Sequence, residues 1–487
     1  MHGEFLRALG SSSLYTTLTI DQSAKYVAAG RLGMWQAGQV HIDDAEALLV
    51  FGCNPLVSHS AGGMLVSDPV RRLKQARARG LKLIVVDPRL SETARHADLF
   101  LQPIPGTDAL IAAGLLRLIL SEGRHDAAFC AGHVAGLEAL REAVEPFTPE
   151  VVAARAGLDA DALRAAAAMF ATASHRGAVI TGTGTDMQPR SNLAEHLIQC
   201  LDVVCGHFKR AGEAMRNHDP LQPPTTWFAD VDPHLTPTAE QAHYLFSPTL
   251  QYERDDLPLT LGKPLYPDAW TQYAAAAIAP PAHSDVIDDW RIFHGLARRL
   301  GLALNYGGRP LDLDSLPTTQ ELLTRGLQGS TVTLEQIRQQ PDAVWDRRGE
   351  PTTVQPARPE AGRFDVAPPD VVDELAELAA EPQAAIDIEA PMQLIVRRMR
   401  DVNGSMGLHS AAVRRRNPTN PLHMNPADLA SLGSARRPEG SRPRATWCDR
   451  RHRPGRPDAA RRRGVDEPQL GPTPKASWGP KETRWID

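Results

Sequence analysis

Two short, uninterrupted apolar runs, separated by one segment of helical length, constrain the fold most strongly. The runs are ALLVFG at 47–52 and LKLIVVDP at 81–88. Such runs are typical of parallel strands that are buried on both faces. Between them, Asp68 suits a helix N-cap, Pro69 the first helical position and Gly80 the position after the helix. This strand–helix–strand order predicts an α/β fold with a doubly wound parallel sheet.

The same alternation continues beyond the second run. A helix is predicted between Thr107, as its N-cap, and Gly123, as its terminator. GAVITGTGTD at 177–186 reads as another buried strand that ends in glycines. In the segment that follows, Asn192 and Glu195 have the spacing of a capping box at a helix start.

These patterns divide the chain into four expected regions. Residues 1–175 are expected to form a dinucleotide-binding-like α/β domain, and residues 176–390 a second α/β domain with irregular insertions. Residues 391–433 are expected to begin a β domain that is incomplete, with a strand predicted at 392–400 (MQLIVRRMR). Residues 434–487 form a tail of different composition.

The tail, residues 434–487, is too basic and too poor in apolar residues to form a core. It contains 14 Lys and Arg, 7 Asp and Glu, eight prolines and only three of Ile, Leu and Val. It is either the product of a shifted reading frame or a genuine, disordered basic tail. The remaining chain has 39 basic and 51 acidic residues, which argues against general nucleic-acid binding.

The five cysteines show neither zinc spacing nor a disulfide pattern. The one close pair, Cys200 and Cys205, favours packing over metal binding because no His partner stands at zinc spacing. The opening MHGEFLRALG lacks the apolar core of a signal peptide, and no apolar run reaches the length of a membrane span. We therefore expect a cytoplasmic protein with no membrane or nucleic-acid partner.

Three strand or loop ends carry residues that suit a ligand. Gly52 lets a backbone approach closely and Asn54 supplies a donor and an acceptor, while Asp87 supplies a carboxylate for a guanine or ribose. Thr107 and Asp108 open a helix whose N-terminus attracts polar groups. Each alone is compatible with an ordinary turn or cap. Together, at the carboxyl ends of a doubly wound sheet, they indicate a nucleotide-like cofactor.

Four blocks of the sequence resemble one enzyme family. They are LLVFGCNP, LIVVDPRLSETARHADLFLQPIPGTDALIAAGLLRLIL, VITGTGTDMQ and NPLHMNPADLASLG. In this order they are similar to the molybdopterin oxidoreductases of the dimethyl sulfoxide reductase family, which includes formate dehydrogenases, nitrate reductases and biotin sulfoxide reductase. The resemblance covers about residues 1–213 and 392–433. It implies α/β domains around a molybdenum bis(molybdopterin guanine dinucleotide) cofactor, a small-molecule substrate and a possible electron-transfer partner subunit.

The resemblance also implies which residues contact the cofactor. The first three match a turn against one dinucleotide, the next five match a nucleotide-contacting strand end and the loop after it, and two glycines match a turn near the pterin. The last three fall in the segment that opens a cofactor-covering domain. In chain order they are Gly52, Asn54, Pro55, Asp87, Arg89, Gly106, Thr107, Asp108, Gly182, Gly184, Asn403, Ser405 and Asn425.

The same resemblance places a metal ligand some thirty residues before the first turn. Asp21 aligns best with the catalytic, molybdenum-coordinating position, and Ser23 is the alternative. A carboxylate is a hard oxygen donor suited to high-valent molybdenum. A helix N-cap is the competing explanation for Asp21.

Two departures from the family pattern limit the expected activity. The cysteine motif of the family's iron–sulfur cluster is absent from the sequence, and the basic tail stands where a β-rich domain is expected. We expect a molybdopterin-dependent oxidoreductase, performing oxo transfer or formate-type oxidation, in an incomplete form. Alternatives are a non-catalytic scaffold or electron-chain subunit that has lost the metal, and a simple nucleotide-binding domain. His59, His196 and His207 fit structural roles better than proton transfer.

Overall fold

The structure, a computed structural model, describes most of the first 382 residues and short pieces beyond them. The described residues are 1–12, 21–33, 42–58, 68–171, 174–210, 213, 244, 246–257, 270–340, 344–345, 362–382, 393–397, 402, 410–417 and 423–426. The chain divides into two compact units, Met1–Ile395 and Val396–Asp487.

The strands of the described residues form one main sheet and several two-stranded pairs. They are β1 (Ala47–Phe51), β2 (Lys82–Val86), β3 (Leu99–Leu101), β4 (Val134–Ala135), β5 (Gly177–Thr181), β6 (Trp270–Thr271), β7 (Asn305–Tyr306), β8 (Arg309–Pro310), β9 (Val344–Trp345) and β10 (Phe364–Asp365). The pairs are β4 with β10, which run parallel, and β6 with β9 and β7 with β8, which run antiparallel.

The helices of the described residues are four to fifteen residues long. They are α1 (His2–Ala8), α2 (Ser23–Leu32), α3 (Pro55–Ser58), α4 (Pro69–Ala78), α5 (Asp108–Ser121), α6 (Ala127–His133), α7 (Leu137–Val144), α8 (Pro149–Ala156), α9 (Ala160–Ala171), α10 (Thr183–Asp186), α11 (Ser191–Cys205), α12 (Asp289–Leu300), α13 (Thr319–Gly326), α14 (Leu334–Arg338), α15 (Pro369–Ala380) and α16 (Ala411–Arg416). None of these helices is long and apolar enough to span a bilayer.

The main sheet has four parallel strands in the order β3–β2–β1–β5. The chain runs from β1 to β2 and β3, and then returns to the other side of β1. The direction of winding therefore reverses between β1 and β5, and ligands of such sheets bind outside the carboxyl ends of the strands at this reversal. Phe51 lies opposite both Val86 and Thr181, so three strands end level with one another.

Alternate residues of the strands face two separate cores, because successive side chains of a strand point to opposite faces. Leu49, Phe51 and Ile84 face helices α5, α9 and α11. Leu48 and Val50 face α4 and the chain before β1. The expected α/β fold with a doubly wound parallel sheet is therefore confirmed.

Several predicted helix ends are confirmed. The Asp68 carboxylate accepts a hydrogen bond from the Arg71 amide at 3.1 Å, and Gly80 follows α4 with a positive φ of 105°. Thr107 stands at the N-cap of α5, although its hydroxyl caps no helical amide, and Gly123 follows the C-cap with φ 65°. These ends could be predicted because they depend on neighbouring residues alone.

Two local predictions are wrong. Helix α11 begins at Ser191 with Arg190 at the N-cap and has no capping box, because Glu195 lies in the buried interior of the helix. The strand predicted at 392–400 is absent from its described part, residues 393–397, which are exposed. Moreover, β5 pairs with β1, so the expected boundary at residue 175 falls within one sheet; the division into domains stays a prediction.

A carboxylate covers the outer edge of β5. Asp202 of α11 accepts a hydrogen bond from the Val179 amide at 3.0 Å, and its other oxygen is 3.2 Å from Nδ1 of His207. The His207 ring packs edge-on against Phe170. Its atoms would lie 2.2–2.7 Å from a Cβ added at Gly177, so only glycine fits at the start of β5.

We therefore expect Gly177→Ala to destabilise the chain by about 1–3 kcal/mol, because overpacking a fixed core site has a cost of this order. Urea unfolding followed by circular dichroism measures the change. The matched control is Gly132→Ala in α6, where an added Cβ meets nothing within 4 Å. Equal stabilities of the two variants would contradict the proposed packing.

Candidate functional site

Three glycines bring the loops after β1 and β5 into direct contact. The Gly184 amide donates to the Gly52 carbonyl at 3.1 Å, and Gly52 has a positive φ of 52°. A Cβ at Gly182 or Gly184 would lie 2.7 or 2.6 Å from the Gly52 carbonyl oxygen. The first requirement for glycine here is therefore the close approach of the two loops, and not only the approach of a ligand.

Asn54 uses both ends of its side-chain amide within the protein. Nδ2 donates to Glu92 at 2.6 Å, and Oδ1 accepts from the Thr93 amide at 3.2 Å and the Thr93 hydroxyl at 2.8 Å. The donor and acceptor that we expected to serve a ligand thus fix the loop after β2. The next residue, Pro55, is buried and begins the short helix α3.

The loop after β2 holds two carboxyl groups in opposite electrostatic environments. Burial raises the pKa of Asp87, although its carboxylate accepts a hydrogen bond from the Arg89 amide at 2.8 Å. Burial would also raise the pKa of Glu92, but hydrogen bonds that include those from Asn54 and Arg89 lower it to about 2. Glu92 is therefore a fixed anion, while Asp87 is the more easily protonated acceptor.

Asp108 is the first residue of α5 and lies beside the β5 loop. Burial raises its pKa to about 6, against a hydrogen bond from Gln188, and the negative charges of Glu195 and Asp87 raise it further. The neighbouring Thr107 hydroxyl donates to the Ile104 carbonyl at 2.7 Å. Asp87 is one of the charges that raise the pKa of Asp108, in agreement with a common region for the ends of β2 and α5.

Lys25, Asp186 and Glu195 form a buried ionic cluster that contacts the loop after β5, here called the β5 loop. Nζ of Lys25 donates to the Gly182 carbonyl at 2.9 Å and to Glu195 at 2.9 Å, and it also contacts Asp186. Both carboxylate side chains are fully buried. Burial alone would lower the pKa of Lys25, but the two carboxylates raise it, so the lysine stays charged. Thr185 donates to Glu195.

Two acceptor atoms of this region have no hydrogen-bond partner in the described part of the chain. They are Oδ1 of Asp186 and Oε1 of Gln188, and both are buried. A buried unpaired acceptor has an energetic cost, so such atoms call for an explanation. A ligand with N–H donors would satisfy them.

Asp21 lies four residues before Lys25, directly ahead of α2, which packs against α10 and α11. Its side chain is partly buried and makes no hydrogen bond or ion pair to the described residues. It is not the N-cap of α2, because Gln22 occupies that position. The competing explanation for Asp21 therefore lacks support.

The structure brings ten of the thirteen predicted cofactor-contacting residues to one edge of the sheet. Gly106 belongs to this set, since a Cβ there would lie 3.7 Å from Pro189. Asn403 and Ser405 lie outside the described residues, as does His59. Asn425 is exposed and belongs to the second unit.

The structure assigns packing roles to the other singled-out residues that it describes. His196 is buried, with Nε2 3.0 Å from the Val366 carbonyl, and burial lowers its pKa. His207 holds the edge of β5. Cys200 and Cys205 are free and buried, and burial raises the pKa of both thiols. In the described part of the chain, no group of three or more His, Cys, Asp or Glu side chains could hold a metal ion.

Sequence reasoning missed the ionic cluster. Lys25 and Glu195 are 170 positions apart, and no local pattern pairs them. One signal was present: α11 is apolar on most of its circumference, so Glu195 had to be buried and paired. Gln188 lies shortly after Gly182 and Gly184, but no turn or capping pattern in the sequence marked it as part of the site.

The described residues of this edge are rich in hydrogen-bond acceptors. The edge combines bare backbone at the glycine turns, the carboxylates of Asp87 and Asp108, and two unpaired acceptors. Such a surface complements a heterocycle with several N–H donors, since a carboxylate can accept two hydrogen bonds from one amino-pyrimidinone edge. Pterin and guanine both present this edge.

Comparisons with known proteins agree on the relationship of the first half of the chain. Residues 2–222 match the family model of molybdopterin oxidoreductases. Acetylene hydratase of Syntrophotalea acetylenica is 37% identical over 172 residues, which are 35% of this chain and 24% of that protein. Formate dehydrogenase H of Escherichia coli is 36% identical over 143 residues, which are 29% of this chain and 19% of that protein.

A further relative and a solved structure extend the comparison. The probable oxidoreductase YoaE of Bacillus subtilis is 26% identical over 222 residues, 45% of this chain and 31% of that protein. The matched region thus spans less than a third of each of these relatives. The structure of acetylene hydratase from Pelobacter acetylenicus superposes with a TM-score of 0.70 at 19% identity, covering 89% of this chain and 72% of that one. This likeness shows a shared fold.

The ionic cluster predicts that Lys25 contributes to stability. Lys25→Met leaves two buried carboxylates without their cation, and we expect a loss of about 3–5 kcal/mol in the free energy of unfolding. Urea unfolding measures it. The control is Lys74→Met on the exposed side of α4, for which we expect no more than about 0.5 kcal/mol. Equal losses in both variants would contradict the account.

The raised pKa of Asp108 predicts a pH dependence of stability. The unfolded carboxyl titrates near its ordinary value of 3.8 and the folded one at about 6, so the folded chain holds the proton more tightly. The contribution of this protonated carboxyl group to the free energy of unfolding is fully present below pH about 4, and it is lost as the pH rises through about 6. The Asp108→Asn variant cannot ionise at this position and should keep this contribution. Above pH about 7 it should therefore be more stable than the wild type by roughly 1–3 kcal/mol.

Urea unfolding of both proteins between pH 4 and pH 7.5 measures this difference. The control is the exposed Asp314→Asn. A difference between wild type and Asp108→Asn that stays constant over this range would show that the folded and unfolded carboxyls titrate alike.

Proposed function

We propose that the chain is a molybdopterin-dependent oxidoreductase whose guanine-bearing pterin lies at the β1–β5 edge, since residues 2–222 match the family model of molybdopterin oxidoreductases. One observation carries the proposal: the strand ends that the resemblance assigns to the cofactor meet in one acceptor-rich region at the reversal of winding. Ligands of doubly wound sheets bind at this position.

The residues present fit such a group. The Asp87 carboxylate would accept N–H bonds from one amino-heterocycle, while Oε1 of Gln188 and Oδ1 of Asp186 would accept them from the other. Burial raises the pKa of Asp87, and N–H donors of a ligand would stabilise its charged form. The glycine contacts between the loops fix the backbone against which the ligand would lie.

We propose Asp21 as the protein ligand of the molybdenum. Its carboxylate is a hard oxygen donor, partly buried and without a hydrogen bond to the described residues. Lys25, one turn further along, fixes the start of α2 against the β5 loop. When bound, a molybdenum–pterin centre supplies oxo transfer or two-electron exchange with a substrate. The chain's own part is to hold this group in place and to exclude water.

The similar proteins carry different printed activities, so we extend the proposal only to a reaction class. They include a formate dehydrogenase, an acetylene hydratase and a thiosulfate reductase subunit. Oxo transfer or formate-type oxidation of a small molecule is the proposed reaction. The subunit names of several relatives support a partner subunit for electron transfer. An iron–sulfur cluster and a cytoplasmic location stay predictions.

Metal and pterin analysis tests this proposal. Protein purified from a host that makes the cofactor should contain molybdenum or tungsten and release the pterin as a fluorescent product. In Asp21→Asn we expect at least about a tenfold loss of metal, since loss of even an outer-shell partner has an effect of this size. The pterin should remain.

The matched control is Asp161→Asn on the exposed side of α9. Full metal content in Asp21→Asn would rule out Asp21 as the ligand. Absence of both metal and pterin from the wild-type protein would instead support the non-catalytic scaffold.

A further inference from the structure

Helix α15 carries an acidic stripe along one side. Asp370, Glu374, Glu377 and the C-cap residue Glu381 are spaced by four, three and four residues. Side chains at such spacings lie on one face of a helix. The acidic stripe is therefore a continuous feature of the helix.

The apolar side of α15 packs into the main core of the first unit. Val371, Leu375 and Leu378 are buried there with residues of α5, α7 and α11. The helix is thus amphipathic, and its buried side brings the acidic stripe to the boundary between core and solvent.

Three arginines from three different elements meet α15. Arg31 of α2 contacts Asp370 and Glu374, each at 2.6 Å. Arg155 of α8 donates twice to the Leu378 carbonyl, at 3.0 Å each, and so caps the carboxyl end of the helix.

Arg190 makes the third contact. Its Nε donates to Glu381 at 2.7 Å, its Nη2 contacts the same carboxylate, and its Nη1 donates to Glu377 at 3.2 Å. A guanidinium that holds one carboxylate through two nitrogens has a defined geometry, unlike an isolated surface pair. The arginines are the buried partners, since their side chains are only 15–23% exposed.

Arg190 also has an unusual backbone. Its φ is 56° and its ψ is 33°, a left-handed conformation that residues other than glycine adopt rarely. It follows Gln188 by two positions and is the N-cap of α11. The side chain of Arg190 thus connects the end of the β5 loop to α15, at a point where glycine would relieve the backbone but could not make the ion pairs.

We propose that the ion pairs of α15 with Arg31 and Arg190 fix the position of two segments of the candidate site, and that Arg190 is a positioning residue. We call this set of ion pairs the clasp. Through Arg31 the clasp holds the helix that carries Lys25, and through Arg190 it holds the loop that carries Asp186 and Gln188. The importance of these positions for binding rests on the proposed function, whereas the clasp itself is a property of the chain.

Hydrogen–deuterium exchange of the full chain tests the clasp. We expect Arg190→Gln and the double variant Glu377→Gln/Glu381→Gln each to speed exchange of the Gly184 and Met187 amides about fivefold, the effect of losing an ion-pair network of this size. The Gly184 amide donates to the Gly52 carbonyl of the loop after β1, and the Met187 amide donates to the Thr183 carbonyl within the β5 loop. Combining all three substitutions should add little to either alone, because each removes the contacts of Arg190 with Glu377 and Glu381, and the Arg155–Glu381 pair that is also lost with Glu381 is long, at 3.8 Å.

Two controls separate charge from backbone and from general destabilisation. Arg190→Gly relaxes the left-handed backbone but should speed exchange as Arg190→Gln does. Arg164→Gln removes exposed ion pairs to Glu150 and Asp161 and should leave the loop unchanged. Exchange in β2 should stay at the wild-type rate in every variant.

Three outcomes would overturn the clasp: unchanged loop exchange in Arg190→Gln, slower exchange in Arg190→Gly, or effects that add in the combined variant. A final arm adds GDP to the wild-type protein. If GDP does not slow exchange of the loop amides, that result would count against the proposed function. The experiments without GDP would still test the clasp.

Discussion

The close approach of the β1 and β5 loops is the constraint on which the candidate site depends. The Gly52 amide donates to the Val86 carbonyl at 3.0 Å, and the Gly52 carbonyl accepts from the Gly184 amide at 3.1 Å. Gly52 therefore joins the ends of three neighbouring strands of the sheet, β2, β1 and β5. Side chains at these glycines would separate the loops. Because the loops after β1 and β5 contact each other, the loop after β2, the start of α5 and the β5 loop form one region.

Charge is distributed unevenly around this region, and the distribution follows from burial. Glu92 is held as an anion by hydrogen bonds, whereas Asp87 and Asp108 are held closer to their protonated forms. Lys25 balances the two deepest carboxylates from the opposite side. Acceptors that are neither fully paired nor fully hydrated are suited to receive N–H donors from a ligand, because little solvation is lost on binding.

Much of the fold could be predicted because its signals are local. The buried runs at β1 and β2, the Asp68 cap and the glycines after α4 and α5 all depend on near neighbours. The roles of site side chains could not be predicted in the same way. Asn54 had the right chemistry for a ligand, yet it bonds to Glu92 and Thr93 almost forty positions away.

The failed capping box has the same physical origin. A glutamate three residues after an asparagine is a good local cap, but Glu195 is buried and paired with Lys25, and breaking such a pair costs more than one exposed capping bond contributes. Similarly, α15 follows a connector without clear pattern, so nothing local in the sequence indicated that its acidic stripe meets Arg31, Arg155 and Arg190.

We propose that the edge between β1 and β5 recognises an amino-pyrimidinone base. Calorimetric titration of GDP and ADP into the cofactor-free chain tests it most directly, with Asp87→Asn as the comparison. We predict saturable GDP binding that is at least about tenfold tighter than ADP binding, a preference that Asp87→Asn removes. Equal affinity for the two nucleotides, or a preference for GDP that survives in Asp87→Asn, would contradict the account.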